Sequence, residues 1–486
     1  MNSKIKELSK DTIVYGVSTI LGKFLNFVLV PFYTQVFAPQ AFGVFGYFYS
    51  FQAFLMVGLI FGMDVAYMKY ASQVEERDKR HWYSTAFIAV LISSFFFSLA
   101  MIIFRVPIIN VLYGSTQYES IIVLLAGILF FDVVSQVPFS NLRLRRKTVK
   151  FASIKLINIL VNIAMNLILI LVYKMGIESI FISNLVASAV MFVILIPDIY
   201  KNCSWRVNFE AFKKMLKFGI PYLPASLAAM IVQVIDRPLL KYLTNEKVLG
   251  VYQANYKLGI FMMLFVSMFQ YAWQPFFLIN ANEKGAKELF SRVLTFFLII
   301  ASFIWVTISL FIEDFAKFQF YHGKTIIGSG YLGGLVIVPV ILLGYLFHGM
   351  YVNFSAGVYI EEKTKYYPIV TGIGAILNVV VNITLIPVWG MMGAAIATLV
   401  AYMCMAAGLF IVTQKFYHVQ YEYRKIISIL AIIFVTGSVY YYMYSINALN
   451  LPYKFLILLG FILLMVLLRV VRINEIKSIT RKLIRR

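Results

Sequence analysis

Apolar residues recur in long runs along nearly the whole chain, as in IIVLLAGILFFDVV (121–134), LTFFLIIASFIWVTISLFI (294–312) and FLILLGFILLMVLL (455–468). Short polar breaks separate these runs. A helix of roughly 20 such residues spans the hydrocarbon core of a bilayer. No segment alternates apolar and polar residues with the period of a transmembrane barrel strand. The pattern predicts an all-α polytopic membrane protein. About fourteen spans are expected, at roughly 11–36, 42–66, 82–104, 117–139, 151–172, 177–199, 214–243, 248–273, 289–312, 331–353, 366–386, 391–414, 425–445 and 453–470.

Composition supports this class. Of 486 residues, 61% are hydrophobic and 13% charged, against about 45–50% and 25% in a soluble protein. Lys4, Lys6 and Lys10 precede the first span and no small-residue cleavage site follows. That helix is expected to remain in the mature protein. Cys203 falls in a polar loop and Cys404 inside a span, so no disulfide is expected.

The net charge of +22 would suit nucleic acid, but its distribution points elsewhere. Basic residues concentrate in NLRLRRKTVK (141–150), RVNFEAFKKMLK (206–217) and RVVRINEIKSITRKLIRR (469–486), all on one side of the expected topology. A break on the other side, FAPQA (37–41), has none. The positive-inside rule then places both termini in the cytoplasm, with no nucleic-acid partner. The basic tail can also lie on anionic lipid.

Two stretches align without gaps. KDTIVYGVSTILGKFLNFVLVPFYTQVFAPQAFGVFGYFYS starts at Lys10, and KFGIPYLPASLAAMIVQVIDRPLLKYLTNEKVLGVYQANYK starts at Lys217. They pair Pro31 with Pro238, Gly43 with Gly250 and Tyr49 with Tyr256. A second alignment, 145–166 on 361–382, pairs Asn162 with Asn378 and Asn166 with Asn382. The expected organisation is a six-helix lobe over 1–205, a second over 206–415, and two extra helices with a basic cytoplasmic tail over 416–486. Both lobes enter from the same side, so they should be pseudo-symmetric about an axis along the membrane normal. Such folds bind cargo between their halves and move it by alternating access.

Charges inside the spans mark candidate chemistry. Lys23 lies roughly 20 Å into the first span and Lys257 roughly 15 Å into the eighth. An ammonium at bilayer depth costs about 2.5–3.5 kcal/mol on insertion scales, so each should face water, protein or an anion. Thr12, Thr19, Lys23 and Asn26 share one side of the first helix; Ser226, Gln233 and Arg237 share one side of the seventh. The eighth adds Gln253 and Lys257, and the fifth Lys155, Asn158 and Asn162. The expected substrate-binding set is Lys23, Lys257, Arg237, Thr19, Asn26, Ser226, Gln233 and Gln253. A lone polar residue in a span more often serves packing, and Arg237, near a helix end, could snorkel. Repeated stripes that end in cations point to a cavity. Asp64, Asp132, Asp236 and His348 are candidates for ion coupling or gating. Asp236 and Arg237 are adjacent, about 100° apart on a helix, and need not pair. The excess of lysine over carboxylate favours an anionic cargo, and phosphate suits Lys and Arg.

No catalytic set is evident. His81, His322, His348 and His418 are scattered, and HGKT (322–325) has Phe318 where a phosphate loop needs glycine. No metal-ligand spacing occurs. A transporter without a resident cofactor is expected, driven by an H+ or Na+ gradient or by that of its cargo.

TILGKFLNFVLVPFYTQVFAPQAFGVFGYF, IDRPLLKYLTNEKVLGVYQANYKLG and the KT…N…N…GMMGAAIATLVAY pattern at 363–402 resemble the polysaccharide transporter family. That family holds the O-antigen and capsule repeat-unit flippases of the multidrug/oligosaccharidyl-lipid/polysaccharide flippase superfamily. The resemblance implies two lobes around a central cavity in the bacterial cytoplasmic membrane. It implies a monomer that flips undecaprenyl-pyrophosphate-linked oligosaccharide to the outer leaflet, with membrane lipids and the polysaccharide polymerase machinery as further partners. By position, Lys23, Lys257 and then Arg237 match the cavity cations that meet pyrophosphate in such flippases. Lipid II flippases usually carry several arginines in the first lobe, where this chain offers one deep lysine. Drug and metabolite exporters of the superfamily depend on buried carboxylates, which are scarce here. A polymerase or ligase would usually present a large catalytic outer loop, and 313–330 is short.

Overall fold

The structure is a computed structural model that describes residues 16, 20–25, 27–281, 283–321 and 323–470. Thr19 and Asn26 lie outside the described residues, as do Lys4, Lys6, Lys10, Thr12, His322 and the tail from 471. Among the described residues, twelve helices are long and apolar enough to cross a membrane. Two shorter apolar helices, α1 (Ile20–Val36) and α20 (Leu451–Leu467), lie at the two ends of that series. The chain is an all-α, multi-pass membrane protein.

In the first half come α2 (Pro39–Ile60), α3 (Met63–Ala71), α4 (Glu76–Ile103), α5 (Arg105–Tyr113), α6 (Glu119–Val134), α7 (Gln136–Leu144), α8 (Thr148–Leu167) and α9 (Glu178–Asn202). Then follow α10 (Phe209–Gly219), α11 (Leu223–Val234), α12 (Asp236–Leu243), α13 (Glu246–Tyr256), α14 (Ile260–Asn280) and α15 (Ala286–Lys317). A small hairpin, β1 (Gln319–Tyr321) with β2 (Lys324–Thr325), precedes α16 (Val338–Ile360), α17 (Tyr366–Trp389), α18 (Met391–Phe416) and α19 (Tyr423–Ser445).

Local sequence sets the helix ends. Asn208 and Asn245 accept from the amides of Ala211 and Val248, each at 3.0 Å, and so cap α10 and α13. Pro39 opens α2, where its missing N–H costs nothing. Phe61 and Gly62, both with positive φ, break the expected span 42–66 into α2 and α3. A Cβ on Gly62 would lie 2.7 Å from the Gly219 carbonyl oxygen, so the break lets backbone meet backbone under α10. That amphipathic connector buries Ala211 and Met215 and leaves Lys213 and Lys214 exposed.

Packing divides into two clusters. The smaller joins Met63, Tyr67, Phe87, Leu195 and Met215 at the basic end of the first half. The larger runs through both halves and includes Phe42, Phe48, Tyr252 and Trp305. Ile92, Phe96, Val193, Ile376 and Phe434 are exposed on span helices. On a membrane protein such positions face lipid rather than water.

The duplication persists in detail. Asn166 Nδ2 donates to the Asn162 carbonyl, and Asn382 Nδ2 to the Asn378 carbonyl, both at 2.8 Å. The paired glycines Gly43 and Gly250 meet where α2 crosses α13. A Cβ on Gly43 would lie 2.0 Å from the Glu246 carbonyl oxygen, and one on Gly250 1.8 Å from that of Pro39. The contact is reciprocal, as expected at a pseudo-twofold crossing. Other ties between the halves lie at the same end. Gln35 Nε2 donates to the Thr325 carbonyl at 2.5 Å, and Tyr331 Oη to that of Phe37 at 2.8 Å.

Candidate functional site

Helices α1, α12, α13 and α16 enclose a cavity of about 250 Å³. Lys23, Arg237, Gln253, Lys257, Tyr256 and Tyr345 line it. Four of the eight expected binding residues therefore come together.

Lys257 sits where α13 gives way to a single 3₁₀ turn, Lys257–Gly259, before α14 resumes. Gly259 lets α16 pack close against that turn, because a Cβ there would lie 2.6 Å from Ile341 Cγ2. The ammonium lies 5.2 Å and 5.7 Å from the ring centroids of Phe45 and Phe42. Among the described residues no hydrogen bond or ion pair reaches it. Lys23 Nζ donates to Ser267 Oγ at 3.1 Å and also has no carboxylate partner.

Arg237 is tied differently. It is only 9% exposed, so it does not snorkel. Its Nη1 lies 2.7 Å from Asp236 Oδ1 and also donates to the Gln233 carbonyl. Its Nε donates to Gln253 Oε1 at 3.0 Å, and its guanidinium covers the Tyr256 ring at 4.7 Å. Asp236 also accepts from the Tyr252 hydroxyl. The expectation that Asp236 and Arg237 need not pair is thus corrected. The backbone at Ile235, between α11 and α12, keeps helical angles and hydrogen bonds, and it is the arginine side chain that folds back onto its neighbour. Gln253 fits because its repeat partner is Gly46, whose Cβ would lie 3.3 Å from Gln253 Cδ.

The other candidates lie elsewhere. Ser226 is half-buried and Gln233 exposed, and neither side chain lines the cavity. Asp132 accepts from Ser188 Oγ at 2.6 Å and from Gln52 Nε2 at 3.4 Å, inside the first half. Lys155 covers the Phe139 ring at 4.2 Å. Asp64 is half-buried in the first turn of α3. His348 packs against Tyr402, with ring centroids 5.0 Å apart, and lies within electrostatic reach of Lys23. Ser267, Tyr256 and Tyr345 were not expected at the site. Tyr345 Oη donates to Tyr256 Oη at 3.4 Å. The one signal for them was Tyr256, immediately before Lys257 and paired with Tyr49 in the duplication.

The site offers two ammonium groups without carboxylates, a guanidinium already neutralised, and an amide and hydroxyls beside them. Such a set has the charge and the donors that an anion requires. Among the described residues no group of His, Cys, Asp and Glu side chains is arranged to hold a metal.

The comparisons agree with this architecture. A model of the family described as polysaccharide biosynthesis protein matches residues 34–320. No curated protein matches the chain in sequence. Among solved structures, the lipid II flippase MurJ in an inward closed conformation is similar at TM-score 0.73 and 18% identity, over 97% of this chain and 100% of that one. A mutant of the MATE transporter VcmN from Vibrio cholerae is similar at 0.61 and 14%, over 85% and 98%. A MOP superfamily transporter from Pyrococcus furiosus, described as having a binding pocket of reverse polarity, is similar at 0.56 and 12%, over 85% and 94%. These likenesses show a shared fold, and the matched residues are more than half of the sequence: the chain belongs to the polysaccharide biosynthesis protein family.

Proposed function

We propose that this protein is a flippase for a lipid-linked saccharide whose head group is joined to its lipid through a diphosphate. The finer form is an undecaprenyl-pyrophosphate-linked repeat unit, carried from the inner to the outer leaflet of the bacterial cytoplasmic membrane for surface polysaccharide. The basic end, with its loops at 145–147 and 203–208, then faces the cytoplasm.

One observation carries the proposal. Lys23 and Lys257 share a cavity, and among the described residues neither has a carboxylate partner. A buried charge without a partner is costly, and a diphosphate would supply the missing charge through charge-assisted hydrogen bonds. Arg237 is already neutralised by Asp236, so its part is to hold Gln253 in place. The family membership and the likeness to the lipid II flippase MurJ support the same class of cargo.

Size adds a constraint. Sites for drug-sized ligands usually measure about 300–1,000 Å³. At about 250 Å³ this cavity suits a diphosphate but not an oligosaccharide. The halves must therefore part to admit the sugars, while the lipid stays in the bilayer. The lysines replace the water around the diphosphate, and Gln253 and the tyrosine hydroxyls complete its hydrogen bonds.

The test is complementation of a strain lacking the gene. Lys257→Met and Lys23→Met should abolish surface polysaccharide at normal membrane levels of protein, while Lys257→Arg retains it. Normal polysaccharide output from Lys257→Met would refute the site. Rescue of a lipid II flippase deletion would move the cargo to lipid II. Broad drug sensitivity of the deletion strain with intact polysaccharide would move it to export.

A further inference from the structure

One turn beyond Arg237 on α12 stands a lysine that the cavity does not use. Lys241 follows Arg237 by four residues, so the two share a helical face. Arg237 looks into the cavity; Lys241 lies in the shut seam at the end opposite the basic loops.

Its surroundings come from the other half of the molecule. The ammonium lies 3.4 Å from the Tyr113 ring centroid and 4.1 Å from that of Tyr47. Nζ donates to the Leu112 carbonyl at 3.1 Å, and the Tyr47 hydroxyl donates to that same oxygen at 2.9 Å. Leu112 and Tyr113 end α5, and Tyr47 belongs to α2. Glu246, on Lys241's own half, is within electrostatic reach of Lys241 and Tyr113. No carboxylate forms an ion pair with Lys241 among the described residues. Two rings and a carbonyl therefore hold this cation, and all of them belong to the first half.

The surrounding seam is closed by neutral contacts: the Gly43–Gly250 crossing, Gln35 on Thr325, and Tyr331 on Phe37. Lys241 is the charged member of the set. Alternating access requires the halves to separate here. Lys241 would travel with α12 and lose both rings and the carbonyl in one step. Its ammonium would then face the opening, one turn outward from the cavity, with Glu246 of its own half still within electrostatic reach.

We infer that Lys241 is a second anion-binding site at the exit, masked here by Tyr47 and Tyr113 and free to take a diphosphate when the seam opens. The rings and the anion compete for one ammonium. Anion binding holds the exit open, and closure of the aromatic box expels the anion outward. The diphosphate rests on the function proposed above, and the latch on the alternating access that goes with it.

The test needs two readouts. Met263, on α14, also lines the cavity, so in right-side-out vesicles Met263→Cys in a Cys203→Ser, Cys404→Ser background reports access to it from outside. A membrane-impermeant thiol reagent should label it slowly. Lys241→Met should raise the labelling rate about tenfold, within the range of ordinary coupling energies. Inorganic pyrophosphate added outside should raise labelling of the protein that keeps Lys241 and leave Lys241→Met unchanged. For the purified protein, Tyr47→Leu/Tyr113→Leu should bind pyrophosphate more tightly than the parent. Adding Lys241→Met should cancel that gain, and adding Lys257→Met should leave it. Parent-like labelling of Lys241→Met would overturn the latch. A gain that survives Lys241→Met but disappears with Lys257→Met would overturn the exit site and leave the cavity assignment standing. Failure of every variant and the parent to bind pyrophosphate would overturn both.

Discussion

Gly43→Ala offers a sharp test of how the two halves close. A Cβ at this position would lie 2.0 Å from the Glu246 carbonyl oxygen, 2.9 Å from its carbon and 3.1 Å from the Gly250 nitrogen. Ordinary contact begins at 3.4 Å. The shortfall against the oxygen, 3.4 minus 2.0, is 1.4 Å. All three neighbours are backbone atoms, so no side chain can swing away. Helices α2 and α13 must separate by about that amount. Overpacking of this kind costs about 1–3 kcal/mol. The cost falls only on the state in which the helices touch. The equilibrium should therefore move about 5- to 150-fold towards the open seam. Spin labels at Thr116, in the segment between α5 and α6, and at Lys247, in the first turn of α13, both exposed, would report the shift by pulsed electron resonance as a longer distance. Gly250→Ala, whose Cβ would lie 1.8 Å from the Pro39 oxygen, should act in the same direction. If Gly43→Ala folds normally and the distance distribution is unchanged, the seam does not depend on backbone contact and the reasoning fails.

Further substitutions probe the buried pairs. Asp236→Asn strands Arg237 and deprives the Tyr252 hydroxyl of its acceptor, so thermal stability in detergent should fall by about 3–5 kcal/mol. Asp236→Asn/Arg237→Gln should recover most of it, and a parent-like single variant would show the pair to be dispensable. Lys454 pairs with Asp314 at 2.6 Å, with side-chain exposures of 3% and 49%. Asp314→Asn leaves a buried cation and should destabilise more than Lys454→Met, which leaves a half-exposed anion; the reverse order of melting temperatures would contradict this. Outside the spans, the Lys79 hydrogen bond and the Arg145 charge hold the Glu76 carboxyl below its ordinary value of 4.5. Its contribution is present above that value and is lost as pH falls through the lowered one. The side chain is 60% exposed, so the loss is about 0–1 kcal/mol, and Glu76→Gln should flatten that part of an acid stability curve.

Much of the fold could be read along the chain because bilayer thickness imposes a run length that sequence must obey. The spans expected at 366–386, 391–414 and 425–445 appear as Tyr366–Trp389, Met391–Phe416 and Tyr423–Ser445. The interruptions were not legible. The break at Phe61–Gly62 depends on Gly219 from a distant connector, and the 3₁₀ turn at Lys257 packs against Ile341 from α16. The same limit applies to the site. Lys23, Arg237, Gln253 and Lys257 stood out because polar groups at membrane depth are costly. Ser226 and Gln233 were carried along by helical spacing, and neither side chain lines the cavity. Tyr256 and Tyr345 gave little signal in a chain with 32 tyrosines. An amphipathic ring in a span says nothing by itself about which neighbour it meets.

The asparagine pairs show how closely the repeated frame has been kept, down to a 2.8 Å bond in each copy. The cations have no such twins. The positions that correspond to Lys23, Arg237 and Lys257 are Met230, Val30 and Ser50. The repeated frame and its charges are therefore separable in this sequence: the asparagine and glycine pairs stand in both copies, the cations in one copy each. A frame of this kind can change the electrical character of its cavity by altering a few side chains while the crossing of its halves stays the same.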